Sequence, residues 1–206
     1  MVRKSFTKLF AASSLALLLG ACSILPKAPQ LTVYKLPQLE VQRQQAVTVN
    51  EVIRVAIPYT RNYLDTHRII VVTPEHSLAV MDGIRWEDLG PIVFRDSLIR
   101  ALRSANRYRA VINDDTAAGD YSLRSELQDF QLDYSVEPAE VVISVDASLS
   151  SLKTKDYPIS TASFSAREPL EAASDEAVLN AFAKANQQIH QQVIQWLSSL
   201  SSSSKN

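Results

Sequence analysis

Cysteine occurs once in the 206 residues, as Cys22. No internal disulfide can form, so the mature fold depends on burial alone, even in an oxidising compartment. Glycine is almost as scarce, with Gly20 beside the cysteine and only Gly83, Gly90 and Gly119 beyond it. A glycine-rich loop ending in Lys-Ser or Lys-Thr, the phosphate cradle of nucleotide hydrolases, is therefore missing. The three histidines, His67, His76 and His190, lie far apart with no ligand-like partner at helical spacing. Neither a metal nor another cofactor is expected. Charge is nearly balanced, 21 Lys and Arg against 22 Asp and Glu, and no basic stripe is interleaved with aromatics. That excludes the usual footprint of a nucleic-acid binder.

A long membrane-spanning run is also missing. The apolar stretch Leu9 to Leu19 is about half of the ~20 residues a transmembrane helix needs. It follows Met1 to Lys8, which carry Arg3, Lys4 and Lys8 and no acid, the order of a secretory signal. Leu19-Gly20-Ala21-Cys22 then matches the lipobox of bacterial prolipoproteins. A branched residue three places before the cut fills the peptidase pocket, and small residues let the backbone enter. The Cys22 thiol is the nucleophile that takes diacylglycerol. Residues 1–21 are expected to be a lipoprotein signal peptide recognised through Leu19, Gly20 and Ala21, with lipid attached to Cys22. Two or three acyl chains, at ~0.8 kcal/mol per buried methylene, make release negligible. Ser23, where an Asp would retain the protein at the inner membrane, favours the periplasmic face of the outer membrane. Loss of the three leader cations takes the net charge from -1 to about -4, and the roughly 185 remaining residues suffice for one core.

Pro26 and Pro29 bias residues 22–32 toward an extended tether. The domain, residues 33–197, opens on the strand-like Val33 to Leu36, and a stronger strand, Val52 to Ile57, ends at Pro58. Arg68 to Thr73 and Ser77 to Met81 read as a hairpin around Thr-Pro-Glu-His, with Asp82-Gly83 punctuating the chain before Trp86. Pro91 starts an amphipathic helix of about fifteen residues carrying Phe94, Leu98, Ala101, Leu102 and Ala105. Its other side, with Arg95, Asp96, Arg100, Arg103 and Arg107, reads as a solvated face. After a short strand near Arg109 to Ile112 and an acidic break, Tyr121 to Tyr134 alternates but changes phase near Gln128-Asp129, which predicts a bulge. Val141 to Leu149 alternates cleanly, as a half-buried strand does, and Tyr157 to Ala166 reads as one more strand. Ser174-Asp175-Glu176 starts a helix of roughly 22 residues with Val178, Phe182, Ala185, Ile189, Val193 and Trp196 on one stripe. The Ser-rich residues 198–206 are expected to be disordered.

Few groups offer chemistry. Ser150-Ser151-Leu152-Lys153 contains a Ser-x-x-Lys pattern, but it ends a strand, and alternation sets Ser150 and Lys153 on opposite sides. Asp114-Asp115 reads as solvated turn chemistry, and Trp86 and Trp196 read as core aromatics. No nucleophile, base and oxyanion set can be assembled, so the protein is not expected to be an enzyme.

The lipobox with Tyr34-Lys35-Leu36, the strand Ile53 to Pro58 with Tyr63-Leu64-Asp65 after it, and Trp86 ahead of a Pro-started helix together resemble the ABC-type transport auxiliary lipoprotein family. Tyr121 to Phe130 and the Ala-rich helix ending at Trp196-Leu197 extend the resemblance to roughly residues 34–200. It implies a single compact α/β domain, with a mixed or antiparallel sheet packed by two main helices, similar to the amino-terminal domain of the Tol-system propeller protein. It also implies partners: ABC transporter subunits and a substrate-binding protein of the mammalian-cell-entry type, which move phospholipid or other lipid between the membranes of a Gram-negative envelope. The alternative is a structural or assembly lipoprotein of the envelope unconnected with lipid transport. The Gln-rich stretch between Tyr34 and Val52 matches no element of the family.

Overall fold

A computed structural model describes residues 31–40, 49–114, 118–153 and 159–203. From Leu31 onward the chain forms one compact unit. Its elements are β1 (Thr32–Tyr34), β2 (Val49–Val55), β3 (Tyr59–Thr60), β4 (Arg68–Val72), β5 (Leu78–Trp86), α1 (Gly90–Ser104), β6 (Tyr108–Asn113), β7 (Tyr121–Asp133), β8 (Glu140–Ser151), β9 (Ser160–Pro169) and α2 (Asp175–Ser203).

The thirteen-residue β7 organises the sheet. Along one edge it pairs antiparallel with β8 over nearly its whole length, and β8 pairs antiparallel with β9. Along the other edge three shorter strands follow one another, all parallel to it. β2 lies against Tyr121 to Leu123, β3 against Glu126 and Leu127, and β4 against Gln131 to Asp133. Pro58, which has no N–H to offer a ladder, stands at the break between the first two of these strands. β6 extends the sheet beyond β2, and β5 and then β1 extend it beyond β4. The result is the mixed α/β single domain expected, with nine strands in one open sheet and two helices among the described residues.

The expected bulge is present: the β7–β8 register shifts between Leu127 and Asp129. The extra residue lets Leu123, Leu127, Phe130 and Leu132 all face the core despite the change in parity. On β8 the inward Val141, Ile143, Val145, Ala147 and Leu149 are buried, while Ser144, Asp146 and Ser148 face outward. Both helices cover the inward face. Trp86 of β5, Phe130 of β7 and Phe182 of α2 meet with ring centroids 5.0 to 5.8 Å apart, and Phe94 of α1 stands 6.5 Å from Phe130. Four elements thus share one aromatic centre, which accounts for the core placement of Trp86. Trp196 is only half-buried, edge-on to Phe164 of β9 at 5.8 Å, and Leu197 is the buried neighbour.

Three expectations are corrected. Asp82-Gly83 does not end a strand: β5 runs through to Trp86, and the β4–β5 register shifts between Arg68 and Ile70. Gly83, at φ 74, supplies the left-handed residue for this irregularity, a conformation that costs other residues more. Arg95 is not on a solvated face but only 7% exposed. Helix α1 is covered by the sheet and by α2 as well, so its buried set extends past the Phe94 stripe to Val93, Ser97 and Ile99. The Arg95 Nε donates to Asp96 Oδ1 at 2.7 Å, and exposure is left to Arg100 and Arg103. Finally, α2 continues to Ser203 where a disordered tail was expected from residue 198. Ser198 and Ser199 return their hydroxyls to the carbonyls of Ile194 and Trp196, each at 2.7 Å, and Leu200 packs against the core.

Candidate functional site

The lipobox residues Leu19, Gly20, Ala21 and Cys22 lie outside the described residues, as do Asp115 and Tyr157. The other residues singled out from sequence are dispersed. His67 and His76 lie before and after β4, and His190 is buried on α2. Lys153 lies past the end of β8 with its ammonium 3.0 Å from Asp120 Oδ1, and Ser150 stands opposite Ser122. Asp120 also accepts the Val52 N–H at 2.7 Å, and that bond, followed by Lys153, holds its carboxyl below the usual carboxylate range. Asp120 thus pins the start of β7 to β2, and Lys153 of the Ser-x-x-Lys pattern ties the end of β8 to the same carboxylate. Asp114 is half-buried rather than solvated, its carbonyl accepting from Arg54 across from β2.

One arrangement was not legible in the sequence. Ser97 of α1 meets Asn186 and His190 of α2, with Asn186 Nδ2 donating to Ser97 Oγ at 2.8 Å and His190 Nε2 at 3.2 Å from the same oxygen. The single Ser97 hydroxyl proton goes to the Phe94 carbonyl at 2.8 Å, so His190 donates from Nε2. Burial, reinforced by the charge of Arg100, lowers the His190 pKa to about 3, which keeps the ring neutral. A serine beside a histidine has the form of a nucleophile and its base, but Ser97 is 0% exposed. No substrate reaches that oxygen, and the pair acts as a polar lock between two helices. Residues spaced at i and i+4 on α2 do signal a shared face, but their partner on α1 lies some ninety residues away.

Surface features lie on the open face of the sheet and beside α1. At the amino-terminal half of β7 a shallow trough of about 710 Å³ is lined by Tyr59, Arg124, Glu126, Asp146, Thr161 and Ser163, among others. Its residues form cross-strand rows, Tyr59 beside Glu126, Asp146 and Ser163. The Ser163 hydroxyl donates to Asp146 Oδ1 at 2.5 Å. Apart from Tyr59 the rows are polar, and Asp146 also accepts from Gln128 Nε2 at 3.2 Å. A second recess, of about 420 Å³, lies between residues 38–40 and α1 and includes Arg100 and Arg103. At the other end of the open face, Arg68 of β4 stands directly opposite Arg85 of β5, beside Val33 of β1. Among the described residues neither guanidinium has an ion pair.

Fold and surface together define an α/β domain with one helix-covered and one open sheet face. The model of the ABC-type transport auxiliary lipoprotein component matches residues 34–194, and the chain belongs to that family. Among solved structures, protein XCC0632 from Xanthomonas campestris superposes with a TM-score of 0.74 at 24% identity, covering 85% of this chain and 100% of that one. An uncharacterised protein gives 0.65 at 15% identity over 82% and 99% of the two chains. The hypothetical protein CT253 from Chlamydia trachomatis gives 0.51 at 10% identity over 72% and 96%. These likenesses establish the fold. Comparison with proteins of curated function finds no match. Family membership makes the chain an auxiliary lipoprotein component associated with ABC transport.

Proposed function

We propose that the protein is the lipid-anchored accessory component of an ABC, mammalian-cell-entry-type system that moves lipids between membranes. Held by acylated Cys22 at the periplasmic face of the outer membrane, it acts by binding and docking. The observation that carries this reading is the family match over residues 34–194, which spans nearly all of the described domain, with the tetrad Leu19 to Cys22 shortly before it. A non-catalytic role is supported by the sealing of the Ser97–His190 pair and by the shape of the trough, which is shallow and offers no enclosed reaction chamber.

The test is affinity purification of the full-length, acylated protein from detergent-solubilised envelopes, with proteins quantified by mass spectrometry. ABC transporter subunits and a mammalian-cell-entry-type protein are expected to be enriched over a control lipoprotein. Enrichment of envelope assembly factors alone would instead favour a structural lipoprotein.

A further inference from the structure

We infer that the end of the open sheet face formed by β1, β5 and β4 is a membrane-docking surface for anionic phospholipid, with headgroup phosphate held between Arg68 and Arg85. The inference rests on the lipid-anchor reading of Cys22. Arg68 and Arg85 are cross-strand partners on adjacent strands. Like charges set directly opposite repel, so such a pair is a cost to the free protein that an anion removes. Each residue is half-exposed while its Nε is buried without a hydrogen-bond partner. Two planar guanidinium forks side by side suit a phosphate, which accepts two bonds from each.

The surroundings of the pair favour a bilayer over a free anion. Val33 pairs with Arg85, Val80 with Ile70 and Leu78 with Val72, which places the three apolar side chains around the arginines on the same sheet face. They are 47%, 42% and 54% exposed, respectively. Cations flanked by exposed aliphatic side chains match the headgroup boundary, where apolar groups dip inward and cations meet phosphate. The trough in the other half of the open face has one exposed large apolar side chain, Tyr59, set among Glu126, Asp146 and Ser163.

The point where the chain enters the domain sets the occupant. β1 begins level with Ile84 and runs parallel to β5, so the domain is entered from the side of the β4–β5 hairpin that carries Leu78 and Val80. From Cys22 to Leu31 an extended chain spans at most roughly 30 Å. An acyl anchor on Cys22 therefore keeps this end of the sheet within reach of the bilayer that holds it.

The test uses the full-length protein, acylated at Cys22 and reconstituted into vesicles. Val80→Cys introduces the one free thiol for a polarity-sensitive fluorophore, and Thr161→Cys places the same label in the polar trough as a control. Vesicles of phosphatidylcholine alone are compared with vesicles containing phosphatidylglycerol, with a headgroup-proximal spin-labelled lipid as quencher. The label at position 80 is expected to be quenched in phosphatidylglycerol vesicles and the label at 161 to remain in water. Arg68→Gln and Arg85→Gln are each expected to lower the ratio of docked to undocked protein about fivefold, with unchanged circular dichroism. Equal quenching at 80 and 161, indifference to phosphatidylglycerol, or crosslinking of Val80→Cys to a second copy instead would overturn the docking surface while leaving the anchor standing. Protein that fails to float with any vesicle would refute the anchor, and the docking surface with it.

Discussion

Trp86 is fully enclosed, with Phe182 edge-on at 5.1 Å and Phe130 at 5.8 Å, and it joins β5 to β7 and α2. Truncation leaves a cavity among aromatics that cannot all collapse into it. Trp86→Ala is expected to cost about 3–5 kcal/mol, and Trp86→Phe less, as read from urea unfolding monitored by circular dichroism. His190 sets a different dependence. Its folded pKa of about 3 lies below the ordinary 6.5, so folding favours the neutral ring. The associated stability is complete above pH 6.5 and is lost as pH falls toward 3. At pH 4.5 the loss is about 2–3 kcal/mol. His190→Gln should flatten the change in stability between pH 6.5 and 4.5, measured by denaturant midpoints; an unaltered slope would mean that another group carries it.

At the scale of elements, β7 and Gly83 show how sequence period becomes architecture. Gly83 sits at φ 74 with open space where a Cβ would be, so substitution there strains the backbone without a clash. Gly83→Ala is expected to lose ~1–2 kcal/mol and Gly83→Asn less, because asparagine tolerates the left-handed region better. Equal losses for the two would place the cost elsewhere. The bulge of β7 was legible because a parity change leaves a visible phase slip in the apolar pattern. The start of α1 was equally legible from Pro91. By contrast, Asp82-Gly83 looks the same in sequence whether it ends a strand or distorts one, since only the partner strand decides. The burial of Arg95 depends on α2, whose position no local window contains. Serine's modest helix propensity likewise hid the end of α2, where Leu200 packs against the core.

The whole molecule divides its sheet into a helix-covered face and an open one. The covered face is closed by the aromatic centre and by the Ser97–Asn186–His190 lock. The open face combines a largely polar half and an arginine-bearing half near the point of chain entry. Alternation along β8 revealed that one face would be polar, yet the pairing of Arg68 with Arg85 arises from a register shift that sequence does not encode locally. The expected anchor, in contrast, rests on the tetrad ending at Cys22, which lies outside the described residues. The measurement that bears most directly on a membrane-held transport auxiliary is the intact mass of the mature protein isolated from its own envelope. A chain beginning at Cys22 with fatty acyl mass on that residue, lost together with membrane flotation in Cys22→Ala, is the predicted result. A mature chain that starts elsewhere, or one carrying an unmodified Cys22 yet floating normally, would contradict it.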